Sequence, residues 1–134
     1  MKTYFDHEKL QVYQAAVQFY SWCEPLLERV PKSLSVHDQL ERARTSIVLN
    51  IAEGNGKFTS SDRCRFFDTS RGSSLESAAC LDLLPIKKLV NNVDLDAAKT
   101  QLKSVVSMLV GLIRANAPDR LHEEPVAYRV KGED

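Results

Sequence analysis

The chain lacks most of the features by which a sequence declares catalysis, metal binding or membrane insertion. Cys23, Cys64 and Cys80 are its three cysteines, with no CxxC pair and no histidine at ligand spacing. Structural zinc and a secreted disulfide framework are therefore disfavoured, and each cysteine is expected to be a small, reduced core or interface residue. Five glycines and five prolines in 134 residues are too few for a fibrous or disordered chain. Charge of neither sign dominates, because 18 basic residues balance 18 acidic ones. The field of the whole molecule thus gives no drive toward nucleic acid or a membrane surface. No window approaches the roughly 18 to 20 apolar residues that span a bilayer, and the N-terminal MKTYFDHEKL has no uninterrupted apolar run. The expectation is a cytoplasmic protein without membrane association.

Enzyme signatures are equally sparse. Gly54 and Gly56 lack the Lys-Ser/Thr pair and the preceding strand of a phosphate loop. His7, His37 and His122 fall on three separate segments, so no metal site is expected. A di-iron bundle needs Glu-x-x-His on two of its helices, and that pattern does not occur. Ser73 and Ser74 have no identifiable base to activate them as nucleophiles. The reading is a protein that is not an enzyme and takes no cofactor.

What the chain does contain is helical periodicity. Asp6 is expected to cap a first helix from His7, with Leu10, Tyr13, Ala16, Tyr20, Cys23 and Leu27 at steps of three and four. Pro25 inside that pattern predicts a kink. A second helix is expected from His37 or Asp38 along Leu40, Ala43, Ile47, Val48 and Ile51, stopping at Gly54-Asn55-Gly56. Thr59 and Asp62 resemble a capping box for a third helix. The middle of that helix is small (Ser70, Gly72, Ser73, Ser74, Ser77, Ala78, Ala79), which predicts close helix packing at Gly72. Asp94 is the expected cap of a fourth helix through Leu95, Ala98, Leu102, Val105, Leu109 and Leu112. Val106, Val110 and Ile113 form a second apolar stripe there, pointing to oligomerisation. Residues 1–116 are read as one all-α domain, an antiparallel up-down-up-down four-helix bundle, and 117–134 as a polar C-terminal tail.

Polar groups interrupt the apolar faces of the middle helices at Ser46, Asn50, Glu53, Arg71 and Ser74. Buried groups of this kind must bond to each other or to a partner. Arg71 is expected to reach a carboxylate across the gap, either to fix helix register or to form a recognition pocket for a phosphate or a peptide group. Basic residues gather near the same turn: Lys57, Arg63 and Arg65, with Arg42 and Arg44 on the second helix. Phe58, Phe66 and Phe67 lie among them and offer faces on which bases can stack. Phe66 and Phe67 are also read as packing residues, one in the bundle and one in a subunit contact.

The segments LQVYQAAVQF, LERARTSIVLNIAEGNGKF and DRCRFFDTSRGSSLESAACLDLL resemble the four-helix bundle family known as the 23S rRNA intervening-sequence protein, or S23 ribosomal protein. That family includes the accessory variability determinant protein of diversity-generating retroelements. The resemblance implies a bundle that assembles as a ring-like homopentamer. It also implies hallmark positions at Asn50, Ile51, Ala52, Glu53 and Gly54, then at Arg71, Gly72, Ser73 and Glu76. In the retroelement member a positive barrel surface is associated with nucleic-acid and reverse-transcriptase binding. Two functional expectations follow. One is an oligomeric accessory scaffold binding structured RNA, or DNA, through Arg42, Arg44, Lys57, Arg63 and Arg65. The other is a protein-interaction ring whose partner is another protein.

Overall fold

A computed structural model describes residues 2–117; the expected tail falls, apart from Ala117, outside the described residues. Among them there are four α-helices and no strand: α1 (Gln11–Arg29), α2 (Ser35–Gly56), α3 (Ser60–Leu83) and α4 (Asn92–Asn116).

Several helix ends differ from the sequence expectation, each for a local reason. Asp6 does not cap α1. It opens a separate 3-10 turn, Asp6–Lys9, because Leu10 is extended (φ −73°, ψ 130°) and divides the turn from the helix. The Asp6 carboxylate instead accepts from Asn55 Nδ2 at 3.0 Å. α1 continues through Pro25 to Arg29 as one element, held by the buried Phe19, Cys23, Leu26 and Leu27 on either side of it. Thr59 does cap α3, its hydroxyl oxygen accepting from the Asp62 amide at 3.1 Å. For α4 the cap is Asn91 rather than Asp94: the Asn91 side-chain oxygen accepts from the Asp94 amide at 2.9 Å. Asp94 thereby sits in the first turn, where a carboxylate complements the helix dipole. α3 stops before Pro85, and the turn beyond it holds Lys88 at φ 61°, a left-handed conformation for a residue with a side chain.

The core is a continuous apolar seam. Phe19 and Leu26 of α1, Leu40, Ile47 and Ile51 of α2, Phe67 and Leu81 of α3, and Val105, Leu109 and Ile113 of α4 are all fully buried. Ile113 therefore belongs to this core and not to an outward stripe, while Val106 and Val110 stay half-buried. Contacts between neighbouring helices run in opposite chain directions. Ser73 meets Ser46 and Ser70 meets Ile47 across α2 and α3, while Cys64 meets Ile113 and Asp82 meets Lys99 across α3 and α4. α1 packs on both α2 and α4 and closes the arrangement.

The small residues of α3 have a more specific role than general close packing. Ser70, Ser73, Ser74 and Ser77 face inward, and the Ser70 hydroxyl donates to the Ile47 carbonyl at 2.8 Å. Gly72 faces outward, and a Cβ built there meets nothing within 4 Å, so close packing at Gly72 is corrected. The tight approach is at Gly54, where a Cβ would lie 2.8 and 2.9 Å from ring carbons of Phe67 and 3.0 Å from Phe66 Cβ. α2 runs past Gly54 to Gly56, and no described glycine has positive φ. Gly54 is thus a space requirement rather than a helix stop.

Candidate nucleic-acid interface at the α2–α3 turn

The five basic residues singled out by sequence divide into three groups once folded. Arg44 is withdrawn from solvent, 3% exposed. Its guanidinium donates to Glu24 Oε1 and to Glu41 Oε2, both at 2.7 Å, and to the Tyr20 carbonyl at 2.8 Å, and it stacks 3.7 Å from the Tyr20 ring centroid. Burial works against the charge, but the hydrogen bonds to Glu41 and Glu24 outweigh it and hold the arginine pKa above its ordinary value. The same bond from Arg44 holds the Glu41 carboxyl below the ordinary carboxylate range. Arg44 therefore joins α1 to α2, and its expected part in phosphate binding is corrected. A side chain with every face engaged has no donor directed outward.

Arg63 has an intermediate position. Nη1 donates to the Asn55 carbonyl at 2.9 Å and Nε to Asn116 Oδ1 at 3.0 Å, with the Phe67 ring 5.8 Å away. The planar fork lets one residue tie the end of α2 to the end of α4 across the start of α3. Its first duty is to fix the turn that presents its neighbours.

Lys57 and Arg65 remain at the surface. Lys57 Nζ lies 4.9 Å and the Arg65 guanidinium 5.1 Å from the centroid of the Phe66 ring, so one half-buried aromatic organises two cations. Arg65 also lies 3.5 Å from the Asp62 carboxylate, which lowers the local positive charge without covering the guanidinium. Phe58, next to Lys57, is 102% exposed. Phe67 is the ring that enters the bundle core; Phe66 is the cation platform. Arg42 is exposed but sits four helical turns from Lys57, roughly 22 Å along α2 at about 1.5 Å per residue. It is not part of the same patch.

The polar network of the middle helices is also narrower than expected. Asn50 Nδ2 donates to the Ser46 carbonyl at 2.9 Å and to Ser46 Oγ at 3.0 Å, and the Ser73 hydroxyl meets Ser46 Oγ at 2.7 Å. These contacts join α2 to α3 through three short side chains. Glu53 and Glu76 are exposed and take no part in it, so a network built on Glu53 is corrected to one built on Ser46 and Ser73. Arg71 is half-buried on α3. Sequence reasoning missed Glu24 and Tyr20 as partners of Arg44, although Glu41 was legible as its i,i+3 neighbour. Nothing in the sequence marked Asn55 and Asn116 as the anchors of Arg63.

Burial raises the Cys23 thiol to about 12 and also raises that of Cys80. Cys64 is buried as well, and none of the three is in a disulfide. Among the described residues no group of three or more His, Cys, Asp or Glu side chains is placed to hold a metal ion. No described helix is long and apolar enough to cross a membrane.

Comparison with known proteins agrees with the four-helix fold. No curated protein matches the chain in sequence. In three dimensions it is similar to a crystal structure of a protein of unknown function from the S23 ribosomal protein family of Bacteroides thetaiotaomicron VPI-5482. The two are 18% identical with a TM-score of 0.71, over 77% of this chain and 98% of that one, a likeness of fold. The family model described as 23S rRNA-intervening sequence protein matches residues 8–111. That span takes in α1, α2, α3 and most of α4, and the chain belongs to the 23S rRNA-intervening sequence protein family.

Proposed function

We propose that this protein is a non-enzymatic oligomeric scaffold that holds structured RNA at its α2–α3 turn. The observation that supports this most directly is the fully exposed Phe58 beside two surface cations, Lys57 and Arg65, both set on the Phe66 ring. An exposed aromatic offers a stacking face for an unpaired base, and the cations neutralise flanking phosphates. The family's name connects it with intervening sequences of 23S rRNA, which makes RNA the first nucleic acid to test. Two cations per copy give little affinity by themselves, since phosphate contacts add and each contributes about one unit of salt slope. A homopentameric ring multiplies the patch, so assembly is part of the proposal. Arg63 belongs to it as the residue that fixes the turn.

Filter binding to structured RNA at low and moderate salt tests the reading. Binding at low salt that weakens with salt, and weakens further in Lys57→Gln/Arg65→Gln, is expected. Absence of binding at low salt, or no change in that double variant, overturns it.

A second reading, an interaction ring for a protein partner, is favoured by apolar side chains left exposed on every helix: Val17, Leu49, Leu75, Leu83 and Val93. A reverse transcriptase is one such partner if the gene lies in a retroelement. Recovery of a stoichiometric protein partner from the native cytoplasm, with no copurifying RNA, would favour this reading over the first.

A further inference from the structure

Among the described residues three large aromatic side chains are exposed: Phe58, Tyr4 at 73% and Phe5 at 67%. All three lie at one end of the bundle, where the turn before α1 meets the turn between α2 and α3. Asn55 Nδ2 donates to the Asp6 carboxylate at 3.0 Å, and the Asn55 carbonyl accepts from Arg63 at 2.9 Å. Phe5 adjoins Asp6 and Phe58 follows Asn55 by three residues, so neither is more than about 11 Å of chain from that bonded pair. The turn before α1 is itself fixed. The Phe5 amide donates to Glu8 Oε2 at 2.8 Å, and the Gln14 side chain donates to the Glu8 carbonyl at 3.1 Å. The Phe5 ring lies within 6° of parallel to that of His7, their centroids 6.0 Å apart, and His7 meets the Tyr13 ring edge-on at 4.7 Å. Rings held in this way lose little further freedom when a ligand stacks on them.

We propose that Tyr4 and Phe5 form a second stacking platform for the RNA held at Phe58, so that the ligand carries several consecutive unpaired nucleotides beside its stem. This rests on the scaffold reading of the α2–α3 turn and extends that site across the end of the bundle. A base stacks on any exposed aromatic face whatever its identity, and successive rings hold successive bases. A paired stem keeps its bases inside the helix and leaves such rings unused. Composition favours bases over a protein surface here. Leu83, Ile86 and Val93, the exposed aliphatic residues near a helix end, lie at the opposite end of the bundle, whereas this end pairs rings with cations. Lys2 Nζ lies 5.6 Å from the Tyr4 centroid, as Lys57 and Arg65 lie over Phe66. Along the turn before α1, Lys2 and Lys9 balance Asp6 and Glu8. The platform therefore adds stacking without net charge, and its contribution should survive salt that weakens the phosphate contacts of Lys57 and Arg65.

Fluorescence anisotropy with two labelled RNAs tests this: a hairpin with a single-stranded tail of about 8 nucleotides, and the same hairpin without the tail. The parent should bind the tailed RNA more tightly. Tyr4→Leu/Phe5→Leu keeps apolar side chains but removes the ring faces. It should cost about tenfold or more on the tailed RNA, leave the blunt one unchanged and leave the salt slope unchanged. Lys57→Gln/Arg65→Gln should instead weaken both RNAs and flatten the slope. Both leucines replace exposed side chains, and unchanged helicity checks the fold. Equal binding of the tailed RNA by the parent and the leucine variant overturns the platform and leaves the Phe58 site standing. A parent indifferent to the tail overturns it as well. So does a leucine variant whose oligomeric state differs in light scattering, because the rings would then belong to a contact between copies. Absence of RNA binding by the parent at low salt overturns this inference together with the scaffold reading.

Discussion

Substitution of Gly54 by alanine adds a single methyl group where the fold has least room. The new carbon would lie 2.8 Å from Phe67 Cε1, 2.9 Å from Cδ1 and 3.0 Å from Phe66 Cβ. Carbon atoms pack at about 3.5–4.0 Å, so the Phe67 ring must retreat by roughly 0.7 Å. It has nowhere to go, being fully buried against the core. Overpacking of this kind costs about 1–3 kcal/mol. Against it stands the helix propensity gained when alanine replaces glycine inside a helix, about 1 kcal/mol. Gly72→Ala supplies the control, since it makes the same exchange inside α3 with nothing within 4 Å of the new carbon. The propensity gain cancels between the two variants, leaving a gap of about 1–3 kcal/mol that measures the overpacking alone. Urea unfolding followed by far-UV circular dichroism at one fixed protein concentration reads it directly. Gly72→Ala should raise the midpoint and Gly54→Ala should fall below Gly72→Ala by that gap. Equal midpoints would refute the packing of Phe67 against Gly54, and with it the register of α2 on α3.

Other consequences follow from the buried side chains. The Glu41 carboxyl is held below its ordinary value of 4.5, first by its hydrogen bond from Arg44. A depressed folded-state pKa contributes stability above the unfolded value that is lost as pH falls through the folded one. The urea midpoint of the parent should therefore drop on acidification below pH about 4.5 more steeply than that of Glu41→Gln. Cys23, raised to about 12 by burial, should be inert at pH about 8 to a thiol-specific reagent. With Cys64 and Cys80 also buried, labelling at the unfolding rate is expected, and fast labelling of any of the three would contradict the packing. Arg63→Lys should fail to replace the fork that joins Asn55 to Asn116. Loss of one net hydrogen bond, about 1 kcal/mol, should speed amide exchange at residues 57–60 by roughly fivefold to tenfold.

The sequence made α1, α2 and α4 legible because apolar residues recur along them at three and four, and that pattern needs no knowledge of neighbours; α3 keeps the same step through Cys64, Phe67, its inward serines and Leu81. Helix ends were less legible. Asn91 and Asp94 are both good caps, and only the fold decides between them; Asp6 looked like a cap until the extended Leu10 separated it from α1. Gly54 and Gly72 show the same limit more sharply. Both carry a propensity penalty, but which one faces a ring depends on the rotation of each helix about its axis. The basic cluster was legible in composition and misleading in function. Arg44 sits on the inward face with Ala43 and Ile47, and its partners Tyr20 and Glu24 come from another helix. By contrast Lys57, Phe58 and Arg65 border a turn, where side chains have few neighbours to bury them.

Ultraviolet crosslinking of the assembled protein to structured RNA, followed by identification of the modified peptide, tests the proposed interface most directly. The account predicts adducts on the segment from Lys57 to Phe66, with Phe58 foremost, and their loss in Lys57→Gln/Arg65→Gln. Adducts confined to other faces of the helices, or none under conditions where RNA is bound, would contradict it.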